Sequence, residues 1–164
     1  MKNIEFRKIL FKGAFSVMAC DGEVAESEVA EMKEMLSNSP YFDGLDHETE
    51  LKLAFADITQ NGLKSIQTFF QTLEISDFSE RQELQLVEVL IRMVQADGKV
   101  DDNELIFMHN IKSRLKKLSD EKIIVHFPRH IDLLLDLGKF SSKPLESNLE
   151  AINLNAFGNL NVSE

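Results

Sequence analysis

An internal repeat constrains the fold of this 164-residue chain more than any other feature. The segment Cys20–Val29 (CDGEVAESEV) reappears as Ala96–Leu105 (ADGKVDDNEL), so that Asp21 and Asp97 stand 76 residues apart. The shared pattern is D-G-x-V-x-x-x-E followed by an aliphatic residue. Each copy joins two segments of helical periodicity through a short loop. The chain is therefore predicted to contain two similar helix–loop–helix hairpins.

Apolar residues recur at helical spacing over nearly all of the chain before Leu118. The apolar stretches predict six helices, near residues 6–18, 29–36, 51–58, 63–73, 84–94 and 105–118. The third is predicted to end at Asn61-Gly62, and the fifth to open with a capping box from Ser79 to Gln82. A short seventh helix is predicted after Ser119, and residues 129–138 can form one more. We therefore expect an all-α fold, a single-domain helical bundle of about seven to eight helices with two pseudo-symmetric helix–DG loop–helix hairpins.

The composition changes after Gly138, where serine and asparagine become frequent. Residues 1–138 are predicted to form the helical domain, and residues 139–164 a C-terminal tail. Apolar residues continue to occur in this tail, namely Leu145, Leu149, Ile152, Leu154, Phe157 and Leu160. The tail is therefore expected to be either partly packed on the domain or disordered, and the sequence leaves both open.

The chain is strongly acidic, with 28 acidic and 18 basic residues and a net charge of −10. This excess argues against nucleic acids and anionic membrane surfaces as partners. No apolar run is long enough to insert across a bilayer, and a cytoplasmic location is predicted. Most of the excess lies in residues 21–50, so the natural complements are divalent cations or basic surfaces of other proteins.

Part of the repeated loop has a purely structural explanation. Gly98 can adopt the positive φ that ends a helix. Asp101 and Glu104 have the spacing of a capping box, in which each side chain bonds to the backbone of the other. Val100 and Leu105 stand where a hydrophobic staple places its two partners.

The remaining acids of the repeat lack this explanation. The first copy has Ala25 at the cap position, which cannot cap a helix, and yet it retains Glu28. Asp21 and Asp97 stand at helix C-termini, where the helix dipole disfavours a negative charge. Two acids per hairpin therefore suggest a cation site. Neither copy has an acid at the first position of an EF-hand loop, so both hairpins would have to contribute ligands.

These two A-x-D-G-x-V-like loops, each with a glutamate seven residues after the aspartate, resemble the TerB-like domain of tellurite-resistance proteins. The resemblance covers roughly residues 4–118 and implies a helical bundle with internal pseudo-symmetry. It also implies that acids of both loops gather into a negative patch associated with divalent metal binding. The acids that match this motif are Asp21, Glu28, Asp97 and Glu104.

Two functions of different classes follow from these patterns. The first is a non-catalytic domain that binds a divalent metal cation, and the resemblance implies its association with tellurite, metal or stress resistance. Its oxygen ligands favour calcium, magnesium or manganese over zinc. The alternative is an α-helical protein-interaction module whose acidic patch binds a basic partner, as related domains in a membrane-anchored J-domain co-chaperone imply. A hydrolase that activates a metal-bound water is a third hypothesis. Catalysis is not expected, because the sequence has no P-loop, HExxH motif or nucleophile–base pair.

Overall fold

The regular elements are all helical in the part of the chain that the computed structural model describes, residues 3–20, 24, 26–96 and 98–135. Eight α-helices and one 3₁₀ turn occur there: α1 (Asn3–Ala19), α2 (Glu26–Asn38), the 3₁₀ turn (Pro40–Phe42), α3 (His47–Asn61), α4 (Leu63–Ile75), α5 (Glu80–Val94), α6 (Asp102–Arg114), α7 (Asp120–His126) and α8 (Ile131–Leu135).

The predicted all-α helical bundle is confirmed. The predicted boundary at residue 138 and the tail 139–164 lie outside the described residues. None of the described helices is both long and apolar enough to cross a membrane.

Local sequence signals set several of the helix ends. Ser79 caps α5, because its Oγ accepts a hydrogen bond from the Gln82 backbone N–H at 3.1 Å. The Gln82 side-chain oxygen accepts the Ser79 N–H at 2.9 Å, which completes the predicted capping box. Gly62, with a φ of 55°, ends α3, and its N–H donates to the Ile58 carbonyl.

The first helix occupies the centre of the bundle. It is buried on nearly all sides and packs against α5, α4, α3 and the 3₁₀ turn. Its first half includes the fully buried Leu10 and Phe11, and its last turns are buried from Ala14 to Ala19. A helix that is apolar almost all round is expected in such a central position.

Helices α1 and α5 run parallel to each other. Phe6, near the start of α1, makes an edge-to-face ring contact of 5.4 Å with Phe78, just before α5. Further along, a Cβ at Gly13 would lie 3.5 Å from the tips of both Leu86 and Leu90 in the middle of α5. The two helices run in the same direction and have similar lengths, 17 residues for α1 and 15 for α5. Their C-terminal ends therefore lie at the same end of the bundle.

The sixth helix is shorter than the sequence predicts. Its apolar spacing continues to Leu118, but α6 ends at Arg114. The carboxylate of Glu83, a buried residue on α5, accepts hydrogen bonds from the backbone N–H groups of Lys116 at 2.9 Å, Lys117 at 2.9 Å and Leu118 at 3.0 Å. These donors are therefore not available to an extended helix, and the segment after α6 is tied to α5 instead.

We predict that Glu83→Gln lowers the free energy of unfolding by about 1–3 kcal/mol. The amide group of glutamine places a donor against one of the three backbone donors, which is then left unsatisfied in a buried position. Urea denaturation followed by circular dichroism measures this difference. The exposed variant Glu121→Gln is the matched control, expected to change the stability by less than about 0.5 kcal/mol. Equal stability of the two variants would contradict this account of the α6 end.

Candidate metal site

The two repeat loops begin at the same end of the α1–α5 pair. Cys20 directly follows α1 and is fully buried, and Gln95 and Ala96 form the turn that follows α5. Of the four predicted ligands, Glu28 and Glu104 are described by the structure. Asp21 and Asp97 lie outside the described residues, so the four-acid set stays a prediction.

Glu104 is the third residue of α6 and takes part in the predicted capping box. Its Oε1 accepts the Asp101 N–H at 3.1 Å, and the Asp101 Oδ1 accepts the Glu104 N–H at 2.8 Å. The residue is only 5% exposed. A carboxylate offers about four acceptor positions, so the hydrogen bond to the Asp101 N–H does not by itself prevent coordination of a cation.

Glu28 occupies the corresponding position in the first copy, the third residue of α2, and it is also 5% exposed. Ala25, the residue before α2, has no side-chain acceptor, so the reciprocal box of the second copy cannot be formed here. Burial of a carboxylate is costly unless it is compensated by hydrogen bonds or opposite charge. The repeat thus retains a buried carboxylate at the same helical position in both copies, although only the second copy has a residue before the helix whose side chain can complete the reciprocal box.

The second helices of the two hairpins have different neighbours. Helix α2 is tied to α5 by an ion pair of 2.8 Å between Glu31 and Arg92. Helix α6 packs instead against α4 and α8, and the ring of Phe107 stacks on that of Phe69 with their centroids 6.3 Å apart. The pseudo-symmetry of the two hairpins therefore stays a prediction based on their sequences.

No three His, Cys, Asp or Glu side chains within residues 3–20, 24, 26–96 and 98–135 are grouped so that they could hold a metal ion. A site with three or more such ligands at the repeat therefore has to include residues beyond these ranges. The sequence pattern predicts that role for Asp21 and Asp97.

A second possible site is a cleft of about 270 Å³ between α1, α3 and α4. Its charged groups are already paired, Lys8 with Glu50 at 4.0 Å and Lys12 with Asp57 at 3.3 Å. Burial raises the pKa of Asp57, but hydrogen bonds, including one from the Ser65 hydroxyl, outweigh it and hold the pKa below its ordinary value. This network links three helices, which is a structural role.

A comparison with protein families confirms the resemblance seen in the sequence. The family described as "Tellurite resistance protein TerB" matches residues 11–124, a range that contains both repeat loops and helices α2 to α6 in full. The chain belongs to this family. Comparisons with curated proteins and with solved structures gave no match.

We predict that Glu104→Gln and Glu104→Ala differ in stability when no metal is present. Glutamine retains a side-chain acceptor for the Asp101 N–H, so the capping box is preserved. Alanine removes that acceptor and should lower the free energy of unfolding by about 1 kcal/mol relative to glutamine. Urea denaturation in the presence of a chelator tests this. If the two variants unfold at the same urea concentration, the capping box does not stabilise α6.

Proposed function

We propose that this TerB-family domain binds a divalent metal cation through Asp21, Glu28, Asp97 and Glu104 and has no catalytic activity. The family membership supports the association with tellurite resistance. Calcium, magnesium and manganese are the cations that carboxylate oxygens favour. We further propose that the domain acts in the cytoplasm, in metal or stress resistance.

The parallel packing of α1 and α5 is the observation that supports this proposal most. An antiparallel pair would place the two repeat loops at opposite ends of the bundle, where their acids could not share one ion. The contact of Phe6 with Phe78 and the proximity of Gly13 to Leu86 and Leu90 instead define a parallel pair. The loops that follow the two helices therefore begin at the same end of the bundle. This proximity is needed if both copies are to contribute ligands to one ion.

The burial of Glu28 and Glu104 gives the second line of support. Each side chain is 5% exposed at the start of the helix that follows its loop. Four carboxylates that converge without a cation repel one another, and this repulsion opposes folding. A bound divalent cation would remove this repulsion.

The alternative function is an α-helical interaction module that binds a basic partner. The observation in its favour is a second set of acids, which are exposed and lie away from the repeat positions. They include Glu34 on α2, Asp46 before α3 and Glu48 in the first turn of α3. Attraction between exposed charges is screened by salt, so a partner held by these acids would dissociate as the ionic strength rises.

Thermal unfolding with and without metal tests the proposed cation site. We expect calcium, magnesium or manganese to raise the melting temperature of the wild type progressively, because a ligand that binds only the folded state stabilises it by mass action. At a concentration about a hundredfold above Kd, this stabilisation is about 2.7 kcal/mol. The Asp21→Asn, Asp97→Asn double variant should lose the response. In chelator it should melt no lower than the wild type, because the loss of like charges relieves repulsion.

A second double variant, with the same change in net charge as Asp21→Asn, Asp97→Asn, controls for the effect of net charge on the melting temperature. Glu34→Gln, Glu48→Gln removes two exposed acids from the same acidic segment and should retain the full response to metal. A wild type indifferent to millimolar calcium, magnesium and manganese would contradict the proposal. So would a double aspartate variant that loses about 0.5–2 kcal/mol with and without metal alike, which is the behaviour of acids that only bond to their own loops.

A further inference from the structure

A cleft of about 440 Å³ opens at the other end of the α1–α5 pair, between the first halves of these helices and the 3₁₀ turn. Arg7 of α1 and Arg81 of α5 both line it, and its described lining includes no aspartate or glutamate. In a chain with 28 acidic and only 18 basic residues, a cleft whose charged groups are all positive is unexpected.

Arg7 is held in place by the backbone. Its Nη1 donates a hydrogen bond of 2.6 Å to the carbonyl oxygen of Asp43. Gly44, the next residue, has a φ of 83°, a conformation that favours glycine in this turn. A guanidinium group has five N–H donors, so one backbone contact orients Arg7 and leaves most of its donors for another acceptor.

Arg81 stands in a position that disfavours a positive charge. It is the second residue of α5, where the helix dipole is positive and acidic residues are preferred. The two acids of this turn are engaged elsewhere, Glu80 in an ion pair with Lys122 and Glu83 with the segment after α6. Among the described residues, Arg81 makes no ion pair, and its side chain is exposed. Local stability therefore does not account for this arginine.

One wall of the cleft is apolar and rigid. Pro40 and the ring of Tyr41 form it together with Phe6 and Leu10 of α1. The Tyr41 hydroxyl donates a hydrogen bond of 2.5 Å to Glu88 on α5, which fixes the orientation of the ring. Binding sites for small molecules combine such apolar surfaces with a few well-placed polar groups.

We infer that this cleft binds a small organic anion. Its carboxylate or phosphate group pairs with the guanidinium groups of Arg7 and Arg81, and its apolar body lies against the wall formed by Pro40 and Tyr41. Arginine suits both kinds of anionic group because its planar donors match the two oxygens of a carboxylate or a phosphate. The anion also lies at the positive end of the α5 dipole, which adds to its attraction.

This inference is independent of the proposed cation site. The cleft lies where α1 and α5 begin, and the repeat loops follow the C-terminal ends of these helices. The 17 residues of α1 separate the two ends by about 25 Å, given the rise per residue of an α-helix. A variant at Arg81 should therefore retain the response of the melting temperature to divalent metal.

Isothermal titration calorimetry at constant ionic strength tests the inference with four probes: phenyl phosphate, benzoate, inorganic phosphate and the neutral benzyl alcohol. We expect saturable one-to-one binding of phenyl phosphate, benzoate or both. The tighter of the two identifies the preferred anionic group. That probe should bind at least about tenfold more tightly than inorganic phosphate, which lacks an apolar body, and benzyl alcohol should not bind.

Arg81→Gln should weaken the binding of the preferred probe about tenfold or more. Its melting temperature should stay at or above that of the wild type, because the substitution removes a charge that the helix dipole disfavours. The matched control is Arg129→Gln, which removes an exposed arginine outside the cleft and should leave binding unchanged. No saturable binding at millimolar concentration would overturn the inference. Inorganic phosphate binding as tightly as both organic anions, or equal losses in the two arginine variants, would also overturn it.

Discussion

Helices α1 and α5 pack side by side, and this packing determines where the two hairpins begin. Glycine at residue 13 lets α4 approach α1, because a Cβ there would lie 2.9 Å from the ring of the fully buried Phe69 on α4, whereas its distance of 3.5 Å from Leu86 and Leu90 on α5 would be an ordinary contact. Helix α5 meets α1 at two levels, with Phe78 beside Phe6 and Leu86 and Leu90 beside Gly13. The contact sets the register of two parallel helices and hence decides which ends of the chain's two hairpins are neighbours. Both candidate sites lie at the ends of this one pair.

The helices could be predicted from the sequence, because apolar spacing and helix caps are local signals. The Ser79–Gln82 box and the Gly62 terminus appear as expected. The end of α6 could not be predicted, because the acceptor for the Lys116 N–H belongs to Glu83, far earlier in the chain. The parallel orientation of α1 and α5 depends in the same way on contacts between residues distant in sequence, and no periodicity encodes it.

For the candidate sites, too, local features could be predicted from the sequence and contacts between distant residues could not. The repeat directed attention to Glu28 and Glu104, and both are buried at equivalent positions of their helices. The capping role of Glu104 followed from spacing alone. The arginine cleft was missed because Arg7 and Arg81 belong to elements whose proximity only the fold reveals. One local signal was available: Arg81 stands in the first turn of a helix with a clear capping box, where a basic residue opposes the dipole.

The proposed function requires that both repeat loops share one divalent ion at the end of the α1–α5 pair. Paramagnetic line broadening by substoichiometric Mn²⁺, observed in the amide spectrum of the labelled protein, tests this requirement. If the ion is shared, the amides next to both loops, such as those of Cys20, Ala96 and Gly98, broaden together at the same low ratio of metal to protein. Broadening confined to one loop, or centred on the exposed acids Glu34 and Glu48, would contradict a shared site.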